Sequence, residues 1–426
     1  MRAATAGLLL AVLGALLRRP DAIVLAAPLM VVAAWGAWRR PTSDPVVVQS
    51  IDHATLREGD GTTWRVRVRC DDGAAADDLG VVLWEPGHAE LDPLWGEMSR
   101  GMGEPDAGGH TTAEVPVALR STRWGRRFVG PARVVASSPW AAFRWTSTET
   151  TGRLLTTVPL PAVFDAHAPA SHAAGLVGLD RSSRPGDGSE FHGIRPFQTG
   201  DRLRRIHWAR SLRAGTLHVT STWADHDRHV VLLVDAHHDV GESDGIDGRA
   251  SSLDTTVRAA GALAEHHLRR GDRVSVHVTG ARGDLRVPPA TGLRHLRRVL
   301  DVLAMIEPAT DLRAGARATP GLTDGSLVLV LSPLVAPDAL WRVVDLAARG
   351  FVVVVVDTLP DGIVDDDPDD PFRSLAWRIR LLERARELRA VQSAGVPVVR
   401  WRGPGSLDQV LRDLARRRSA PRMVRR

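Results

Sequence analysis

The side chains whose types could do chemistry gather in one stretch, residues 184–223, RPGDGSEFHGIRPFQTGDRLRRIHWARSLRAGTLHVTSTW. Glu190, His192, Asp201 and His207 are groups that serve in acid–base or metal chemistry. One reading is therefore a membrane-bound, metal-dependent hydrolase working through Glu190, Asp201 and His207. No HExxH pair, nucleophile elbow or phosphate loop accompanies them, and arginines and aromatics outnumber the catalytic types. The competing expectation is architectural: Glu190 and Asp201 pair with Arg195, Arg205 or Arg213 while Phe191, Phe197, Ile206 and Trp208 bury. Gly186 and Gly188 stand in a polar, proline-flanked loop, a weak nucleotide signal. The adjacent histidines His237-His238 and His266-His267 point in different directions on a helix, which suits surface positions better than a metal pair.

The order of rare residues carries a resemblance. Gly186, Gly188, Glu190 and Phe191 are followed by Arg195, Phe197, Gly200 and Asp201. Arg205, Ile206, Trp208 and Arg213 come next. This series resembles the signature of the DUF58 family. The upstream run RWGRRFVGPARVVASSPWAAF is similar to the stretch that precedes the family signature, with Ser138-Pro139-Trp140 in place of the usual Asp-Pro-Phe. The resemblance implies architecture more than activity.

The elements around this stretch divide the chain. Residues 3–17 and 22–38 are apolar runs without an arginine, aspartate or glutamate, separated by Arg18-Arg19-Pro20-Asp21, and read as a transmembrane helical hairpin within residues 1–40. Trp35 and Trp38 mark an interface. Arg2, Arg39 and Arg40 against Arg18 and Arg19 lean toward a cytoplasmic body. Residues 45–146 alternate short apolar runs with turn residues, which predicts an all-β, sandwich-like domain; in TWRVRVRC, Trp64, Val66, Val68 and Cys70 face one way and the arginines the other. Residues 147–183 form a Pro/Ala/Ser/Thr-rich linker, and 184–228 the signature segment. From 229 to 417, continuous apolar strands alternate with amphipathic helices, the pattern of a parallel α/β sheet covered on both faces. Residues 418–426 are a basic tail.

Composition adds limits. All 55 basic side chains are arginines, with no lysine, asparagine or tyrosine, and 50 acids offset them to a net +5. Such a bias follows from G+C-rich coding, so arginine content alone is no nucleic-acid footprint, and no nucleic-acid partner is expected. A single cysteine, Cys70, excludes an internal disulfide.

The α/β pattern resembles a von Willebrand factor A-type domain. That resemblance implies a cation site at the strand ends, built from a D-x-S-x-S loop, a threonine and an aspartate, an oxygen set suited to Mg²⁺. Here Asp235-Ala236-His237-His238-Asp239 lacks both serines, Thr291 stands as the candidate threonine, and Ser332 replaces the aspartate. A mixed set from Asp235, His237 and Asp239 is the alternative; the expectation is a vestigial site without cofactor, Mg²⁺ being the one candidate. The family resemblance further implies a non-enzymatic adaptor at the membrane, partnered with a MoxR-type AAA+ ATPase and acting in protein assembly or cell-envelope maturation.

Overall fold

The computed structural model describes residues 2–38, 45–71, 78–84, 86–93, 98–101, 103, 106–137, 144, 148–149, 151–160, 185–199, 201–223, 229–308, 322, 326–363 and 372–402. They fall into two units, one of Met1–Pro159 with Asp244–Arg249, the other of Leu160–Ser243 with Ala250–Arg426. Gly200, residues 138–140 and 161–184, and the tail at 418–426 lie outside the described residues.

The first unit opens with α1 (Arg2–Leu16) and α2 (Pro20–Trp38), which pack on one another. Pro20 and Asp21 suit a first helical turn, where a missing N–H costs nothing and a carboxylate meets unpaired amides. By length and composition α2 could cross a membrane, whereas the apolar run of α1, Ala4–Leu16, is shorter.

Eleven strands follow among the described residues: β1 (Val46–Ile51), β2 (Thr55–Arg57), β3 (Gly61–Cys70), β4 (Asp78–Leu83), β5 (Ala89–Asp92), β6 (Met98–Gly101), β7 (Thr111–Ser121), β8 (Gly125–Val129), β9 (Ala132–Ser137), β10 (Thr148–Glu149) and β11 (Arg153–Val158). They pair in the orders β1-β3-β7-β5, β10-β9-β4-β6 and β2-β11-β8. The period-2 alternation of β3 is realised. Trp64, Val66, Val68 and Cys70 are buried in a core shared with Leu79, Val81 and Leu83 of β4 and Val134 of β9. On the other face, Arg65 grips Asp52 through Nε at 2.9 Å and Nη2 at 2.7 Å and reaches Glu114 with Nη1 at 3.1 Å. The predicted linker at 147 begins too early: β11 pairs with β2 and β8 and buries Leu155 and Thr157, so the sheet continues to Val158.

The second unit begins with β12 (Pro185–Pro196), paired antiparallel with β13 (His218–Trp223). Its register shifts between Gly186 and Phe191 and again before Gly193. Between the two strands lie a 3-10 turn, Leu203–Arg205, and a short helix α3 (Trp208–Ala214). The α/β part follows as β14 (His229–Asp235), α4 (Ser252–Arg269), β15 (Arg273–Thr279), β16 (Arg286–Ala290), α5 (Leu293–Leu303), β17 (Leu327–Ser332), α6 (Pro337–Ala348), β18 (Val352–Asp357), α7 (Arg373–Ser393) and β19 (Val398–Arg400). The sheet order is β16-β15-β14-β17-β18-β19. All pairings are parallel except that of β16, an antiparallel edge strand absent from the predicted pattern. Central β14 is buried from Val230 through Asp235, as a strand covered on both faces must be. Leu340, Val343 and Leu346 of α6 and Val391 of α7 pack with Val231, Leu233, Val330 and Val355 on one face.

Candidate functional site

Two places hold the predicted residues. The first is the carboxyl end of the parallel strands, beside β14, where the chain turns from building the sheet outward through β15 to building it through β17; such switch points are where open α/β sheets bind ligands. Asp235 ends β14 and is buried. One carboxylate oxygen accepts from the backbone N–H of His237 at 3.1 Å and lies 2.6 Å from its Nδ1; the other accepts from the Ser332 hydroxyl at the end of β17. Burial alone would push this carboxyl up. The hydrogen bonds from His237 and Ser332 outweigh it and hold the group below the usual carboxylate range.

The other predicted ligands go elsewhere. Asp239 accepts from Leu253 N–H at 3.1 Å and so caps the start of α4, next to the capping box of Ser251 and Asp254. Thr291 is exposed and follows the end of β16. Ala290 pairs with Val274 near the start of β15, whereas Asp235 aligns with Thr279 at its end. Because β16 is antiparallel, Thr291 stands at the amino-terminal end of the parallel strands; Thr279 is the threonine beside Asp235. The predicted set thus reduces to Asp235, His237 and Ser332. Among the described residues no three His, Cys, Asp or Glu side chains come together as a metal site. The Mg²⁺ fit also fails on chemistry. Both Asp235 oxygens already accept from protein N–H or O–H donors, and Asp235 is the one carboxylate among the three residues, short of the hard oxygen set that Mg²⁺ takes.

A cavity of about 120 Å³ adjoins Asp235, lined also by His237, His238, Thr279, Ala336 and Arg342. His237 closes against Gly280, whose φ of +76° places its backbone so near that an added Cβ would sit 2.4 Å from His237 Cγ. Sequence reading passed over a second carboxylate here. Asp357 at the end of β18 aligns with Ser332 and is buried against Arg384 of α7, whose Nε also donates to Pro333 O at 2.9 Å. Only the fold joins residues 27 positions apart into a buried ion pair, so no local signal marks it.

The second place is the signature segment. The Arg195 guanidinium holds Asp201 in a bidentate grip, Nη1 to Oδ2 at 2.7 Å and Nη2 to Oδ1 at 2.6 Å, and Gln198 N–H donates to the same carboxylate at 2.8 Å. Arg195 first, then the Gln198 amide, keeps Asp201 below the usual carboxylate range. His207 is the N-cap of α3, its Nδ1 accepting from Arg210 N–H at 3.2 Å, and Gly215 at φ 67° ends the helix in the left-handed conformation. Ser211, on the buried face of α3, donates to His207 O at 3.0 Å and accepts from His218 N–H at 2.9 Å, tying helix to strand. Asp201 is therefore paired with Arg195, one of the arginines expected for it, and His207 is engaged in capping α3. Gly186, Gly188, Glu190 and Phe191 are placed in β12, but their side chains lie outside the description.

One expectation is overturned. Phe197 and Ile206 are half-buried, but Trp208 is 62% exposed and Leu212, one turn on, 81%. The inner face of α3 is the small Ser211, close on β13, which turns Trp208 and Leu212 outward. Leu203 and Leu217 are exposed with them. Among the described residues the guanidinium groups of Arg204, Arg210 and Arg213 have no partner.

Comparisons with known proteins agree on the neighbourhood. Residues 193–367 match the family model described as "Protein of unknown function DUF58". An uncharacterized protein of Mycobacterium bovis and two from strains of Mycobacterium tuberculosis are each 29% identical over 177 residues, 41% of this chain and 49% of theirs. The match thus spans about half the length of those relatives. The family model covers Arg195, Asp201, α3 and the strand ends at Asp235, Ser332 and Asp357, and begins after Glu190 and Phe191. Residues 193–367 are thus similar to a DUF58 domain, and the likeness spans less than half of the chain.

Proposed function

We propose that this chain is a membrane-anchored, non-enzymatic adaptor that works with a MoxR-type AAA+ ATPase in protein assembly or cell-envelope maturation. In this reading α1 and α2 form a two-span hairpin, the soluble body is cytoplasmic, and the α/β part is a von Willebrand A-like module whose cation site is vestigial. The observation that carries it is the surface of α3. Trp208 and Leu212 stand outward on a frame pinned by Arg195–Asp201 and Ser211, and Arg204, Arg210 and Arg213, close by in sequence, are partnerless among the described residues. Aromatic and arginine anchors of this kind dominate protein interfaces. The engagement of Asp201, His207 and Asp235 in structural hydrogen bonds favours docking over hydrolysis.

The test is a pull-down of the full chain in mild detergent, with the ATPase trapped by a non-hydrolysable nucleotide. Trp208→Ala with Leu212→Ala should reduce capture at least tenfold, about the effect of one lost hot spot, with thermal unfolding unchanged. Failure to recover any ATPase, or equal recovery by wild type and variant, refutes the docking role.

A further inference from the structure

Helix α7 buries one side and presents a second apolar stripe on the other. Trp377, Arg384 and Val391, seven residues apart, face the sheet. Phe372 just before it, then Leu375, Ile379 and Leu382, repeat at intervals of three and four on the opposite side, and all are exposed, Phe372 by 75% and Leu382 by 73%. At 100° per residue the two stripes lie roughly half a turn apart. An ordinary surface helix is polar there. Helix α6, which packs on the same face of the sheet, turns Trp341 outward as well, 73% exposed.

Charges choose the occupant. Arg378 and Arg386 lie along the stripe, exposed and partnerless among the described residues, while the helix's acids nearest to it, Glu383 and Glu387, both pair with Arg380, at 3.3 Å and 2.7 Å. Phe, Leu and Ile flanked by free arginines is the composition of a helix that lies in the headgroup region of an anionic bilayer. Self-pairing through this stripe would instead bury Arg386, which continues the same three-four spacing, against a second copy's apolar residues without a counter-ion. The chain also carries α2, apolar and long enough to cross a bilayer, which would hold the domain close to lipid.

We propose that the outer face of α7 is a lipid-docking surface that lies on an anionic phospholipid bilayer. This rests on the membrane-anchor reading but not on the ATPase partnership, and the experiment separates it from both. The native cysteine is buried, so a fluorophore on full-length Leu375→Cys reports the stripe alone. A second protein labelled at Leu25→Cys, on α2, reports the anchor. Both are reconstituted into vesicles of phosphatidylcholine with or without phosphatidylglycerol, carrying a headgroup-depth or a deep-chain quencher.

The expected result is deep-chain quenching at residue 25 in every vesicle and headgroup-depth quenching at residue 375 only with phosphatidylglycerol. Added salt should weaken the latter. Arg378→Gln with Arg386→Gln should lower docking about thirtyfold, each arginine at an anionic surface contributing roughly fivefold. A residue 375 label that stays in water while residue 25 is quenched overturns the proposal. So does a residue 375 signal that follows protein density rather than lipid charge, which would assign the stripe to a second copy. A residue 25 label never quenched would remove the anchor, and the lipid proposal with it.

Discussion

At the scale of residues, the strongest constraints sit where the strands end. Arg384 is buried with Asp357 and donates to Pro333 O as well. Asp357→Ala would leave a buried guanidinium without its counter-ion, a loss of about 3–5 kcal/mol, whereas replacing both partners by Leu and Met of similar volume should recover much of it. Thermal unfolding of both variants decides this, and equal losses would mean that the pair matters through packing alone. Ser332→Ala removes the donor to Asp235 and the acceptor of Leu334 N–H together and should cost about 1–3 kcal/mol. Wild-type stability should not rise with added Mg²⁺; a rise that Asp235→Ala abolished would restore the cation site. Asp235 and Ser332 were legible from their places after apolar strands. Asp357–Arg384 was not, because burial of a charge pair depends on which helix covers which strand.

At the scale of elements, legibility followed periodicity. The alternation in β3 and the long apolar runs of β14, β17 and β18 declare their burial in the sequence, and the structure buries the residues they name. Two short strands did not. The RVPPA run of β16 holds two prolines and reads as a loop, yet an edge strand tolerates them because its outer side needs no donors. Missing it reversed the predicted place of Thr291. Helix α3 failed differently: its apolar residues suggested burial, but seven residues over a buried serine leave Trp208 and Leu212 no core to enter. Helix α4 is held at its start by Ser251 and Asp254, each bonded to the other's backbone at 3.2 Å. Ser251→Ala should cost about 1 kcal/mol. It should also speed amide exchange in the first turn of α4, and exchange unchanged there would assign the ordering to Asp239 instead.

At the scale of the whole molecule, acid should loosen the second unit before carboxylates begin to titrate. Burial first, then neighbouring charge, pushes His266 of α4 down to about 4, the neighbours being His267 and Arg270. His277 of β15 is pushed to about 4 by burial and by Arg286 and His229. Unfolded histidines take up protons near pH 6.5, so between there and about pH 4 the unfolded chain binds protons that the folded chain refuses. The sign is therefore that of a depressed group: its contribution is complete above about pH 6.5 and is lost as pH falls toward 4. Asp235 and Asp201, held below the usual carboxylate range, add their losses only at still lower pH. Hydrogen exchange at pH 7 and pH 5 should show protection falling across β14, β15 and α4. In His277→Gln, which cannot protonate, that fall should be smaller, whatever the substitution costs at neutral pH. An equal fall in wild type and variant would show that His277 takes up its proton in the folded sheet, and that the acid response arises elsewhere.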